Sequence, residues 1–177
     1  MEHTGKLYTL ITGASVGIGR ALAIECAKRN MNLMLLDLPD SGLHSTIHYL
    51  KKNYPVEVKS FVLDLTTPNA PWEIYNHCRN RNITVNMLIN NAGLGHQGSF
   101  CDYDYQFYEN IIRLNIESVV LLTRLFLPEM RKLEYAFILN LGSLAAFYPI
   151  PFKTVYAGSK NFVYSFSRAL KTELKDT

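Results

Sequence analysis

The sequence predicts an α/β fold, a doubly wound parallel sheet flanked by helices, and three observations carry the prediction. Short apolar runs of strand length alternate with longer stretches of helical spacing along the whole chain of 177 residues. A glycine-rich turn joins the first such run to the first helical stretch. No internal repeat, low-complexity tract or linker interrupts the series, so residues 1–177 read as one domain, a length that suffices for a single core.

The elements follow in order. Residues 6–12 (KLYTLIT) are apolar enough for a buried strand, and 19–30 carry apolar residues at helical spacing. Residues 32–38 (NLMLLDL) form a second apolar strand. The helix over 41–53 takes Ser41 as its N-cap. Residues 56–65 alternate and then turn apolar, as a third strand does, and prolines open a helix over 68–82. A fourth strand over 85–93 runs into a turn. A long helical segment covers 102–132, bent or broken near its start. A fifth strand covers 135–143, and a strongly periodic helix 155–174. The sum, βαβαβαβαβα, requires crossover connections and hence a parallel sheet with helices on both faces.

Composition narrows the function classes. A net charge of +3, scattered along the chain, offers no electrostatic footprint for nucleic acid. Cys26, Cys78 and Cys101 are odd in number and far apart, which fits reduced thiols in a cytoplasmic setting better than a disulfide framework. The N-terminus has no apolar core of a signal peptide. The longest apolar run, 119–130, is broken by Arg124 and too short to span a bilayer, so it reads as a buried helix.

The first strand ends in TGASVGIG, Thr12 to Gly19. Gly13 suits a tight turn, and Gly17 and Gly19 let backbone and helix approach a pyrophosphate, which the free N–H groups and dipole of the following helix favour. A glycine loop by itself could be a structural turn, but a strand before it and a helix after it point to a dinucleotide. The second strand ends at Asp37. A carboxylate there can accept from adenosine ribose hydroxyls and repels a 2′-phosphate, or it can merely cap the next turn.

The spacing Gly-x3-Gly-x-Gly resembles the TGxxxGxG motif of the short-chain dehydrogenase/reductase family, and further motifs fall in that family's order across essentially the whole chain. They are Asp64-Leu65 after the third strand, NNAG (Asn90 to Gly93) after the fourth, Ser143 after the fifth, and YAGSK (Tyr156 to Lys160) thirteen residues later. The resemblance implies a Rossmann-type sheet and a cofactor site at Thr12, Gly13, Ser15, Gly17, Ile18, Gly19, Asp37, Asp64, Leu65, Asn91, Ala92, Gly93, Tyr156 and Lys160. NADP-preferring relatives usually carry Arg or Lys where this chain has Val16 or Leu38, so the resemblance and the charge of Asp37 both favour NAD over NADP.

Tyr156 and Lys160 are four apart on a helix and share a face. A tyrosine ionises at about 10 when unperturbed, and a neighbouring ammonium favours its phenolate. An isolated YxxxK is usually a solvated helix pair. In this family the Tyr is the general acid/base and the Lys also binds the nicotinamide ribose. Ser143 matches the serine that holds the substrate oxygen, and Asn115 the asparagine that positions a water in the proton relay. The resemblance therefore implies a catalytic set of Asn115, Ser143, Tyr156 and Lys160, NAD-dependent hydride transfer between a secondary alcohol and a carbonyl, and a homodimer or homotetramer formed through helices 102–132 and 154–175.

His3, His44, His48 and His77 read as surface or helix residues with no metal arrangement. His96, after NNAG, either edges a substrate cleft or is an ordinary loop histidine. Phe147, Tyr148, Pro149, Ile150 and Pro151 suit either an apolar substrate or a packing or subunit contact. Family members continue past the helix of Tyr156 with a sixth strand, a Pro-Gly motif, a lid and a seventh strand, and none of these precedes Thr177. The resemblance thus implies a sheet lacking the family's last strands, with strand five open at the edge. A catalytically impaired dinucleotide-binding or interaction module is the alternative function.

Overall fold

A computed structural model describes residues 5–175. Five strands, β1 (Leu7–Thr12), β2 (Asn32–Asp37), β3 (Val58–Val62), β4 (Thr84–Asn90) and β5 (Phe137–Asn140), pair in the order β3-β2-β1-β4-β5, every pair parallel. The helices are α1 (Gly17–Lys28), α2 (Leu43–Asn53), α3 (Ala70–Asn80), α4 (Tyr105–Ile112), α5 (Ser118–Met130) and α6 (Thr154–Glu173). The predicted alternation and the parallel sheet are both present. β1 and β2 are buried along nearly their whole length, as strands covered on both faces must be.

Alternate side chains of the central strands supply two cores. Leu10, Met34, Leu36 and Leu88 pack with Ile74 of α3 and with Leu122 and Phe126 of α5. Ile11, Leu33, Leu35 and Ile89 pack with Ala23 and Ala27 of α1 and Leu50 of α2. Each fully buried Leu or Ile contributes about 1.5–3 kcal/mol, so the sheet is held from both sides. The strand order reverses between β1 and β4, which opens a crevice at their carboxyl ends.

Several boundaries differ from those the sequence predicts. Ser41 does not cap α2. Gly42 is the N-cap, at φ 87°, and no side chain caps it. The Ser41 hydroxyl turns away to share a hydrogen bond with Ser15 Oγ at 2.6 Å. The strand predicted over 135–143 is paired only over Phe137–Asn140, and at its carboxyl end the pairing stops where its neighbour β4 does, at Asn90. The strand predicted over 56–65 stops at Val62, and Asp64 then turns the chain by accepting from the Thr66 N–H and hydroxyl, both at 2.8 Å.

The helical segment predicted over 102–132 is broken where the sequence suggests. Residues Phe100–Asp102 form a separate 3-10 turn, and Asp104 starts α4 by accepting from the Phe107 N–H at 2.8 Å. A π turn, Arg113–Glu117, then joins α4 to α5. Pro71 lies in the first turn of α3, as expected of a helix opened by proline. Cys26, Cys78 and Cys101 are unpaired, and burial pushes the Cys78 thiol up to about 12. No helix among the described residues is long and apolar enough to cross a membrane.

β5 pairs only with β4, and its other edge is unpaired among the described residues. Phe137 and Leu139 are 59% and 39% exposed there, and with Tyr164, Leu170 and Leu174 they line an open groove of about 740 Å³.

At the other end of the strands, the Lys6 ammonium, followed by Tyr8 and Lys59, holds the Glu57 carboxyl down at about 2. The Lys6 contact is 2.9 Å. A depressed carboxylate stabilises the fold above its unfolded pKa near 4.5 and loses that contribution as pH falls toward 2. We expect Glu57→Gln to lower Tm by about 1–3 °C at pH 6, the range of a solvent-screened pair. The difference should vanish near pH 2, and thermal melts across that window check it.

Candidate active site

The crevice is lined by the segments that follow β1, β2, β4 and β5. The loop after β1 is held from the side by the turn after β4. Thr12 Oγ1 accepts from the Asn91 and Ala92 N–H groups at 3.0 and 2.9 Å. Asn91 Nδ2 donates to the carbonyls of Thr12 and Gly13, both at 2.9 Å. Two glycines are demanded by this packing. Gly13 has φ 65°, and a Cβ on it would lie 2.9 Å from Asn91 Nδ2. A Cβ on Gly19 would collide with the Gly13 carbonyl. The cradle is therefore backbone-lined by steric necessity.

α1 starts at Gly17 with Val16 as N-cap, no side-chain cap and no acidic residue in its first turn. Its leading N–H groups have no side-chain competitor for an anion. Ile18 is exposed beside them. Asp37 ends β2, where Oδ2 accepts from the Ser15 N–H at 2.7 Å and Oδ1 from the Leu38 N–H at 2.8 Å. Asp37 thus does cap backbone, and each carboxylate oxygen keeps a further lone pair for a ribose hydroxyl. This glycine cradle, bare helix terminus and terminal carboxylate fit a dinucleotide. Asp64 lies in the turn after β3, while Leu65 is buried in the core beside Leu36 and Leu88.

α6 brings Tyr156 and Lys160 to the other half of the crevice. Lys160 is only 6% exposed. Its Nζ donates to the Leu141 carbonyl at 2.9 Å and lies 5.9 Å from the Tyr156 ring centroid. Burial alone pulls the ammonium's pKa down. Asn115 and Lys160 converge on Gly93, where a Cβ would meet Asn115 Oδ1 at 3.3 Å and Lys160 Nζ at 3.5 Å. Gly95 faces the Tyr156 ring in the same way, at 3.5 Å. Ser143, two residues beyond Leu141, lies in the loop after β5 and accepts from the Ala145 N–H through Oγ at 3.1 Å.

Asn115 sits in the π turn and is 1% exposed. Its side chain accepts from the Leu94 N–H at 2.8 Å and donates to the Leu94 carbonyl at 2.9 Å and to Ser159 Oγ at 3.0 Å. Ser159 in turn donates to the Tyr156 carbonyl at 2.7 Å. Ser159 is not among the residues that YxxxK specifies, although its spacing from Tyr156 puts it on the same helical face. Equally unmarked is a relay that seats α6 on the sheet: Asn90 Nδ2 donates to Asn140 Oδ1 at 2.8 Å, and Asn140 Nδ2 to Ser167 Oγ at 2.9 Å. No alternation pattern marks such pairs, which lie 50 and 27 residues apart.

Other candidates fall elsewhere. His96 does not face the crevice. Its ring meets Tyr103, Phe107 and Tyr108 edge-on at 5.3–5.5 Å, and both its nitrogens are shut from solvent without a partner. Residues 147–151 line an open hollow of about 590 Å³ with Ala157, Gly158 and Asn161, and neither Tyr156 nor Lys160 is in its lining. His44 and His48 are exposed on α2, and His77 stacks on Phe61 at 4.2 Å. His3 lies outside the described residues. Among the described residues no three His, Cys, Asp or Glu side chains come together as a metal site.

Comparison with known proteins finds the family model for short chain dehydrogenase matching residues 8–177. The chain is 35% identical over 176 residues to the very-long-chain 3-oxoacyl-CoA reductase of Anas platyrhynchos, covering 95% of this chain and 55% of that one. It is 33% identical over 175 residues to the 17-beta-hydroxysteroid dehydrogenase type 3 of Mus musculus, covering 96% and 55%. It therefore spans about half the length of the curated relatives it matches. Among solved structures, a short-chain dehydrogenase from Sphingobium yanoikuyae in complex with NADPH superposes with a TM-score of 0.88 at 30% identity, covering 97% of this chain and 66% of that one.

Two outcomes follow from the packing. Gly19→Ala should destabilise by about 2–4 kcal/mol in denaturant melts, because backbone rather than a flexible side chain must yield. Lys160→Met removes a buried cation whose folded pKa lies below its unfolded value, a cost to the fold at all pH values below that unfolded pKa. We expect its Tm at pH 7 to be unchanged or higher. A fall of about 5 °C or more would mean that the ammonium holds the fold together.

Proposed function

The chain belongs to the short chain dehydrogenases, and from that premise we propose that it interconverts a ketone and a secondary alcohol with NAD(H), using Tyr156 as general acid and base. The observation that carries the reading is the placement of Tyr156 and buried Lys160 on one face of α6, beside Gly93, Gly95 and Asn115 at the mouth of the crevice. The relatives' names, an oxoacyl-CoA reductase and a hydroxysteroid dehydrogenase, support a carbonyl or hydroxyl group on a bulky apolar skeleton as the reacting centre.

The residues that would hold the dinucleotide are Gly13 and the Gly17–Gly19 turn for its pyrophosphate, with Asp37 at the adenosine ribose, Asp64 and the backbone of Leu65 at the adenine, and Asn91, Ala92, Gly93 and Lys160 toward the nicotinamide. When bound, the nicotinamide supplies or takes up the hydride. In the reducing direction Tyr156 gives its phenolic proton to the substrate oxygen as that oxygen gains charge. Ser143 donates a hydrogen bond to the same oxygen and holds it in place. The Lys160 ammonium favours the phenolate left on Tyr156. Asn115, locked on Leu94, keeps the loop after β4 against the proton route. Oxidation reverses each transfer.

Preference for NAD over NADP rests on Asp37. A 2′-phosphate brought against this carboxylate is repelled, and Val16 and Leu38 offer it no cation. That the solved relative named above carries NADPH makes this the point to test first. Under the same reading the protein is cytoplasmic and self-associates through α4–α5 and α6, where Tyr105 and Phe162 face outward.

Fluorescence titration of the purified chain should give saturable binding that is at least about tenfold tighter for NADH than for NADPH, and Asp37→Ser should close that gap. Tighter binding of NADPH by the wild type would refute the assignment to Asp37. With a panel of bulky ketones, Tyr156→Phe should lose at least about 100-fold in turnover while binding NADH as before. NADH binding without turnover of any ketone or alcohol would favour the dinucleotide-binding module instead.

A further inference from the structure

Ser15, in the middle of the glycine loop, is 3% exposed, and all three of its polar groups are taken by the connection from β2 to α2. Its N–H donates to Asp37 Oδ2 at 2.7 Å. Its hydroxyl shares a hydrogen bond with Ser41 Oγ at 2.6 Å. Its carbonyl accepts from Thr46 Oγ1 at 2.8 Å. The neighbouring Ala14 N–H is bound as well, by the Leu36 carbonyl at 3.1 Å. The loop is thereby fastened at one residue to the end of β2, to the turn before α2 and to the first turns of α2.

The turn is shaped for this. Gly42, at φ 87°, occupies the left-handed region where a side chain is strained, and it leaves Ser41 directed at Ser15 rather than at the helix it precedes. Thr46 is buried on α2, and its hydroxyl reaches past its own helix to a carbonyl 31 residues earlier. Neither contact is needed to build α2, whose apolar residues Leu43 and Leu50 already seat it on the sheet.

We infer that Ser41 and Thr46 are positioning residues that hold the glycine loop in its cofactor-receiving shape before any cofactor arrives. The inference rests on the dinucleotide reading given above. A loop already ordered loses little conformational freedom on binding, so the gain appears as affinity. Both residues act through Ser15. Their loss weakens NADH and NADPH alike, unlike a change at Asp37, which separates the two.

The test combines two readouts on Ser41→Ala and Thr46→Val, with Ser41→Thr and Thr46→Ser as the variants that keep a hydroxyl. In cofactor-free protein, hydrogen exchange of the amides of residues 14–19 should accelerate in the first pair and not in the second, with the amides of β1 and β4 unchanged. The dissociation constants of NADH and NADPH should both rise about tenfold in the first pair, as expected for loss of one buried hydrogen bond, while kcat stays at the wild-type value. Unchanged exchange in residues 14–19 overturns the role, whatever the cofactor result. Faster exchange in variants of a wild type that binds neither dinucleotide supports the loop-setting role and overturns the proposed function. A general loss of Tm with both dissociation constants unmoved also overturns the inference.

Discussion

Four hydrogen bonds tie the carboxyl end of β1 to the turn after β4, and every other feature of the crevice is placed relative to them. Thr12 receives two backbone N–H groups through one hydroxyl, and Asn91 spans two carbonyls with one amide. The strands they join are the pair at which the sheet reverses its order, so their tips would otherwise diverge as loops to opposite faces. With the tips bound together, the glycine loop, the first turn of α1 and the segment 91–95 form one surface. The small residues follow from this. Gly13 and Gly19 lie where the two loops touch, and any side chain there separates them.

The second half of the crevice is held on different terms. Lys160 brings a charge to a place where burial disfavours it, with one carbonyl as its hydrogen-bond partner. A Met of similar length would suit the core better. Stability gives no reason for an ammonium in that position, whereas the proton transfer proposed for Tyr156 does. The polar chains that seat α6, from Asn90 through Asn140 to Ser167 and from Asn115 through Ser159 to Tyr156, have the same character. They fix the angle and height of a helix whose apolar contacts alone would allow it to slide.

The fold was legible because its two periodicities are clean. β1 and β2 are unbroken apolar runs, and strands buried on both faces have no other way to appear in a sequence. The glycine loop, the Asn-Asn-Ala-Gly turn and the Tyr-Lys pair were legible for a related reason, since each needs particular residue types at short spacing. What escaped was long in sequence and short in space. Ser41 looked like a helix cap because Ser before a helical run usually is one, and the left-handed Gly42 that redirects it has no signature apart from being glycine. His96, after the motif, reads as either a cleft residue or an ordinary loop histidine, and three aromatic rings from 103–108 enclose it. The carboxyl end of β5 falls where its neighbour stops, which local pattern does not encode.

The π turn at Arg113–Glu117 has a consequence of phase. One additional residue in a helical turn advances everything after it by about 100° around the axis relative to an uninterrupted α-helix. α4 packs against α6, whereas α5 packs against α3 and the sheet. The two halves of one nearly continuous rod therefore keep their apolar stripes on different sides, and the offset between the stripes is absorbed in those five residues. Helix geometry thus acts here as a coupling with a fixed angular step. Asn115 occupies the step itself, so its amide is aimed by the mismatch between two packing directions rather than by either of them.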